Sequence, residues 1–407
     1  MTPAIRQYLV ITGNYWAFTL TDGALRMLVV LHFHALGYSP LQIALLFVFY
    51  ELFGVVTNLV GGYLGARMGL NRTMNIGLLL QILALGMLAA PAAMLTVPWV
   101  MAAQALSGIA KDLNKMSAKS GIKLLVPDTD QGKLYTWVAI LTGSKNTLKG
   151  VGFFLGGVLL MAVGFSGAVV AMAVALGLVW LASLFLLKQE LGKSKAKPKF
   201  REILSKSRAI NVLSAARMFL FGARDVWFVV ALPVYLHTVF GWDFWKVGAF
   251  MASWIIGYGF IQTIAPRITG GQEGRQPVVF WASALALTPA AIALGLMAEW
   301  SPQIVLVGGL LLFGGLFAIN SSLHSYLIVS YARGDGVSLD VGFYYMSNAM
   351  GRLLGTLLSG WVFQAWGLIA CLWISFIFIA IAAFVSLGLP RHHESPQGST
   401  QPESPAN

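Results

Sequence analysis

Cysteine and charge are what this sequence has least of. One cysteine, Cys371, in 407 residues allows no intrachain disulfide and no thiolate metal cluster. It is expected to pack as a small hydrophobe. Charged residues amount to 10%, too few to clothe a water-soluble surface. There is no glycine-rich phosphate cradle, zinc-ligand spacing or nucleophilic triad. Neither an enzyme nor a nucleotide-driven motor is therefore expected, and no cofactor.

What remains is apolar. Hydrophobic residues make up 57% of the chain and the mean hydropathy is +0.75, so the solvent is lipid. Stretches long enough to cross about 30 Å of hydrocarbon as helices recur almost throughout. The spans read from the sequence are 8–36, 40–65, 73–95, 98–121, 135–162, 166–187, 211–239, 245–266, 277–298, 303–331, 340–364 and 367–389. No cleavable leader precedes the first, which is expected to stay in the mature chain.

The net charge of +12 follows topology rather than nucleic-acid binding. With an even number of spans both termini share one side. The connections there carry Arg6, Arg67, Arg72, Lys133, the run from Lys193 to Arg208, Arg267, Arg275, Arg333 and Arg391. The opposite loops contribute only Lys246. The basic side, with both termini, is expected to be cytoplasmic.

Residues 189–209 form a basic linker between a first half, 1–188, and a second, 210–390, and the polar tail 391–407 is expected to be disordered. A weak repeat supports the halves: GYSPLQIALLF from Gly37 corresponds to GWDFWKVGAFM from Gly241. Six spans plus six, related by an axis along the membrane normal, resemble the major facilitator superfamily. The loop GGYLGARMGLNR resembles that superfamily's signature through Gly62, Leu64, Arg67, Gly69 and Arg72, with Ala66 in the place of the usual aspartate. The expected fold is thus an all-α integral membrane protein of twelve transmembrane helices in two six-helix halves.

Within the spans, Lys246 and Asp340 at the starts of two of them aside, cations outnumber acids nine to four. They are Arg26, Lys111, Lys115, Lys119, Lys145, Lys149, Arg217, Arg224 and Arg352 against Asp22, Glu51, Asp112 and Asp225. At about 2.5–3.5 kcal/mol for each Lys or Arg at the bilayer centre, exposing all nine to lipid would cost on the order of 25 kcal/mol. They must face protein, water or a ligand.

Lys111, Lys115 and Lys119 recur at i,i+4 and form a stripe on the fourth span, and Lys145 and Lys149 form another on the fifth. A bound anion balances such a surplus; the competing reading pairs Asp112 with Lys111 or Lys115 and lets the other lysines reach the headgroups. Asp22 with Arg26, and Arg224 beside Asp225, place acid and base on the first span of each half, with Arg217 two turns earlier. Each arginine suits either a bidentate oxyanion or internal pairing with its aspartate.

Substrate contact is expected from Arg26, Lys111, Lys115, Lys145, Lys149, Arg224 and Arg352, and ion coupling or charge pairing from Asp22, Glu51, Asp112, Asp225, Arg217 and His324. Asn320, one turn from His324, is a further cavity candidate. His32, His34 and His237 read as ordinary packing or hydrogen-bonding residues. Gly143, Gly150, Gly152, Gly156 and Gly157 are expected to permit close helix packing.

The strings NYWAFTLTDGALRMLVVLHFHALGY, GIAKDLNKMSAKSGIK, LTGSKNTLKGVGFFLGG and SAARMFLFGARDVWFVVALPVYL resemble the bacterial organoarsenical efflux permease family known as ArsJ. The resemblance implies a bacterial inner-membrane antiporter that exports 1-arseno-3-phosphoglycerate and confers arsenate resistance. It also implies a functional partner, glyceraldehyde-3-phosphate dehydrogenase, which forms that ester. A general phosphate-ester or organic-anion exchanger, and an anion-binding membrane sensor, are the alternatives that charge alone leaves open.

Overall fold

The structure, a computed structural model, describes residues 3–38, 46–126, 131–187, 191, 193, 207–229, 231–242, 244–270, 275–332 and 337–390. Most of the basic linker, part of both repeat strings, Arg333 and the tail lie outside the described residues, as does the side chain of His34.

Eleven α-helices carry the described chain: α1 (Pro3–Ala35), α2 (Val48–Met68), α3 (Leu70–Leu88), α4 (Val97–Leu125), α5 (Gln131–Leu186), α6 (Arg208–Phe228), α7 (Ala231–Thr238), α8 (Phe244–Ile268), α9 (Arg275–Met297), α10 (Pro302–Tyr331) and α11 (Val337–Ser386). At 1.5 Å per residue, the 56 residues of α5 would stretch about 84 Å and the 50 of α11 about 75 Å, more than twice the hydrocarbon thickness. Each therefore crosses twice. The breaks fall at Gly164 (φ 70°) and Gly367 (φ 76°), a left-handed backbone region open chiefly to glycine. With α6 and α7 sharing one crossing, the helices make twelve crossings, as the sequence predicts.

Gly37 and Gly241, which open the two repeat strings, both adopt positive φ, 87° and 66°. The repeat thus marks the same turn in each half. Six helices are long and apolar enough to cross by composition alone. Outside that group stand α1, α3, α4, α6 and the short α7, and three of these hold most of the intramembrane charge: Asp22 and Arg26 on α1, the lysine stripe with Asp112 on α4, and Arg217, Arg224 and Asp225 on α6. Met161, Phe185, Ile304 and Phe384 project outward, as a lipid-facing surface requires.

The face bearing Met68, Lys133, Arg208 and Arg275 is called the basic face below. One apolar core near it spans both halves, joining Ile11, Met116, Ile122, Leu134 and Tyr135 to Leu213, Tyr326, Val337 and Tyr344. Toward the far face the core divides: one cluster gathers residues from Ala24 to Met172, another from Leu220 to Ala382. The halves share one apolar core, the seal between them, at the basic face and have separate cores beyond it, while α5 and α8 stay packed as far as Gly150 and Ile256.

Backbone contact tightens this seal. A Cβ on Gly62 would stand 2.5 Å from the Ser338 carbonyl oxygen, and one on Gly342 would stand 2.5 Å from that of Asn58. Gly143 packs in the same way on Gly259 and Thr263 of α8. Ser338 Oγ donates to Gly62 O at 2.8 Å, Lys123 Nζ to Ser330 O at 3.3 Å, and Asn146 Nδ2 to Gln262 Oε1 at 2.5 Å. Ala66, in place of the signature aspartate, is buried against Leu339. Cys371 is a free thiol in the second-half core.

Candidate functional site

The charged side chains converge where α1, α2, α4 and α5 meet α6 and α11. Their backbone is a run of alternating charge. Arg26 Nη2 lies 3.0 Å from Glu51 Oε1, and Arg352 Nη2 reaches the same oxygen at 3.0 Å. Arg352 Nε lies 3.2 Å from Asp225 Oδ2, and Arg224 Nη2 lies 2.5 Å from Asp225 Oδ1. Arg26, Glu51, Arg352, Asp225 and Arg224 thus form a continuous chain from α1 to α6. The Glu51–Arg352 link joins the two halves.

Position explains the geometry. Arg352 sits midway between Val337 and the break at Gly367, where no headgroup is in reach, so its charge needs a partner on a neighbouring helix. The Asp225 side chain is fully buried, while Arg352 and Glu51 keep 27% and 29% of their side-chain surface. Both thus stay partly open to their surroundings while paired.

A second cluster lies on the first half. Lys115 Nζ contacts Asp112 Oδ1 at 2.6 Å, and Lys111 Nζ lies 3.9 Å from Oδ2. Lys111 also stands over the Tyr50 ring, 3.9 Å from its centroid, and the Arg26 guanidinium stands over the same ring at 4.0 Å. The Tyr50 hydroxyl donates to Asp22 Oδ1 at 2.7 Å. Lys145 Nζ donates to Asn146 Oδ1 at 3.2 Å. Among the described residues Lys149 makes no ion pair or hydrogen bond; Arg26 and Asp22 are the charges acting on it most strongly. Across the two lysine stripes, Lys115 is the charge acting most strongly on Lys145.

The i,i+4 spacing of Asp22 and Arg26 suggests a pair, and the structure does not form one. Tyr50 stands between them, stacking on the cation and bonding the acid, so Arg26 turns to Glu51 instead. Arg224 does bond its neighbour Asp225. Asp112 pairs with Lys115, the internal pairing that the sequence left as an alternative. Lys145 and Lys149 form no ion pair among the described residues.

Arg217, Lys119 and His324 lie deeper toward the basic face. Arg217 Nε donates to Asn348 Oδ1 at 2.9 Å and Nη1 to Ser321 O at 3.3 Å, with the guanidinium over Phe221. Lys119 donates to Thr142 Oγ1. Asn320, a cavity candidate from the sequence, donates to Trp281 O and Leu316 O within the second half. His32 stacks on Phe165 at 4.1 Å, and His237 Nδ1 lies 2.7 Å from Trp242 O, in keeping with ordinary roles.

Sequence reasoning missed Tyr50, Thr142 and Asn348. Tyr50 had a signal, since a tyrosine beside an intramembrane Glu51 offers both ring and hydroxyl. Among the described residues no cluster of His, Cys, Asp or Glu is suited to a metal ion. The arrangement offers cations in excess of acids, partly exposed, at the junction of two bundles.

Residues 9–339 match the sequence model of the Major Facilitator Superfamily. No curated protein matches the sequence. Among solved structures, the human organic anion transporter MFSD10 (TETRAN) is similar at a TM-score of 0.75 and 17% identity, over 95% of this chain and 100% of that one. The E. coli fucose:proton symporter FucP gives 0.74 at 11% identity, over 95% and 99%. A bacterial homologue of the iron transporter ferroportin, in an outward-facing state, gives 0.69 at 13%, over 93% and 98%. At these identities the likeness is one of fold. The sequence match over most of the chain, and the twelve crossings in two halves, place this protein in the major facilitator superfamily.

Proposed function

We propose that this transporter exports an anionic organoarsenical, 1-arseno-3-phosphoglycerate, by alternating access, and so confers arsenate resistance. The observation that carries the anionic substrate is the cationic surplus at the junction: Lys111, Lys115, Lys145 and Lys149 share one half with Asp112, while Arg26, Arg352 and Arg224 form the chain between the halves. The arsenical and the direction rest on the resemblance of the charged strings to the organoarsenical permeases.

The ester carries a phosphate at one end and an arsenate at the other. The lysines would attract one oxyanion, and Arg26, Arg224 and Arg352 would orient the other through paired N–H donors. Those arginines now hold Glu51 and Asp225, so an entering anion competes with carboxylates already in place. Asp22, Glu51, Asp112, Asp225, Arg217 and His324 are the candidates for coupling transport to proton exchange. In this reading the basic face and both termini are cytoplasmic, and the membrane is the bacterial inner membrane. The halves are bounded as 1–188 and 210–390, and a glyceraldehyde-3-phosphate dehydrogenase supplies the substrate.

The test is uptake into everted vesicles of label from radiolabelled glyceraldehyde 3-phosphate, supplied with that dehydrogenase and its nicotinamide cofactor, with arsenate or with phosphate. Arsenate-dependent accumulation is expected. Equal accumulation with phosphate assigns the site to phosphate esters in general, and no uptake by correctly inserted protein refutes transport of these anions.

A further inference from the structure

Lys119 and Arg217 lie buried in the seal at the basic face, and among the described residues neither forms an ion pair. Lys119 on α4 and Arg217 on α6 are 2% and 3% exposed, set among the apolar residues that close the halves: Met116, Ala118 and Ile122 beside one, Leu213 beside the other. Among the described residues neither lies within 4 Å of a carboxylate, whereas Arg26, Lys115, Arg224 and Arg352 all do. They come from opposite halves, yet Arg217 is the charge acting most strongly on Lys119. Closing the basic face has buried like charges together.

Their surroundings are polar but neutral. Lys119 has Thr142; Arg217 has Asn348, the Ser321 carbonyl and the rings of Phe221 and Tyr344. The buried atoms without a partner in this layer include His324 Nδ1, 1% exposed, and the Tyr344 hydroxyl, 0% exposed, along with serine hydroxyls on α4 and α10. Buried polar atoms and buried cations are costly unless something satisfies both. An oxyanion does so, supplying negative charge to the cations and acceptor oxygens to the hydroxyl and to a protonated ring nitrogen.

We infer that Lys119, Arg217, His324 and Tyr344 form an oxyanion site at the basic-face gate, distinct from the central charge chain, whose occupation allows the two halves to close over it. When the halves part at this face, both cations are hydrated and an anion can enter between them. With an anion bound, closure buries a neutralised group; without one, closure buries net positive charge. The site therefore favours closure of a loaded carrier over an empty one, and Lys115 and Lys145, which also act on Lys119, lead from it toward the centre. The inference rests on the anion-transport reading and adds a gate to it. The recognised chemistry is a tetrahedral oxyanion, either free phosphate or arsenate or the phosphate end of an ester.

The experiment measures the gate directly. In a Cys371→Ala background, Gly132→Cys on α5 and Gln276→Cys on α9, both exposed at the basic face, carry spin labels in nanodiscs. Distances are recorded without anion, with inorganic phosphate, and with 3-phosphoglycerate, using chloride at matched ionic strength as control. The parent protein should shift toward the short, closed distance with oxyanion, the closed-to-open ratio rising about tenfold or more. A response to phosphate and ester alike assigns the site to the free oxyanion group, and a response to ester alone assigns it to the ester's phosphate end. Lys119→Gln and Arg217→Gln should each be largely closed without anion and respond little to it, and Arg217→Lys should restore the response.

A parent protein already closed without oxyanion and unmoved by it overturns the inference, as do neutral variants that respond like the parent. Size-exclusion profiles of each variant separate misfolding from loss of response. A protein that closes on phosphate yet fails the arsenate-dependent uptake test keeps the gate and loses the arsenical. One that transports the arsenical without oxyanion-dependent closure keeps the function and loses the gate.

Discussion

Replacing Arg352 by glutamine should weaken the seal at the basic face by an amount that can be worked from its two contacts. The bond to Asp225 lies within the second half and survives when the halves separate, so it contributes nothing to sealing. The bond to Glu51 crosses between halves at 3.0 Å and is lost on separation. A buried hydrogen bond to a charged group contributes about 1.5–3 kcal/mol. Both partners keep over a quarter of their surface, and Arg26 remains on Glu51, which places this bond at the low end. About 1.5 kcal/mol corresponds to roughly tenfold in the open-to-closed ratio.

The assay is maleimide modification of Ile122→Cys, a fully buried position in the seal, in nanodiscs with Cys371→Ala as background. Arg352→Gln should raise the modification rate about tenfold, Glu51→Gln should do the same, and the double variant should add little. Additive effects in the double variant, or no change in either single variant, would refute the coupling of these two residues across the halves.

The other predictions concern packing and internal pairing. Gly62→Val should abolish transport while leaving the protein in the membrane, because the added carbon meets the Ser338 carbonyl oxygen at 2.5 Å; vesicle uptake and immunoblotting check this. Tyr50→Phe removes the hydroxyl from Asp22 but keeps the ring beneath Arg26 and Lys111. It should cost on the order of 1 kcal/mol, and Tyr50→Ala substantially more, read as thermal midpoints of purified protein. Asp112→Asn leaves Lys115 without its acid and should destabilise by roughly 3 kcal/mol, with Asp112→Asn/Lys115→Met recovering much of the loss in the same measurement. Cys371→Ala removes only a packed thiol and should leave transport unchanged.

The crossings were legible in the sequence because lipid imposes length and hydropathy on every span. Even the breaks at Gly164 and Gly367 fall in or beside the gaps between the spans read as 135–162 and 166–187 and as 340–364 and 367–389. The surplus of intramembrane cations was legible for the same reason. Partnerships were not. Periodicity reports neighbours on one helix, and so it offered Asp22 for Arg26, whereas the structure supplies Glu51 from α2 and places Tyr50 between. The seal was equally hidden, since Lys123 bonding Ser330 and Gly62 bedded against Ser338 depend on how two halves meet. Nothing along either half alone carries that information.

The central claim is that an anion passes through the cationic junction, and charge removal at Lys115, Lys145 and Lys149 tests it most directly. Arsenate-dependent uptake into everted vesicles should be compared for the parent protein and the Lys115→Gln/Lys145→Gln/Lys149→Gln variant at equal membrane insertion. The account predicts that uptake falls about a hundredfold or more, as expected when several charge-assisted contacts of the substrate are lost together. Uptake by the variant within a few-fold of the parent would contradict it.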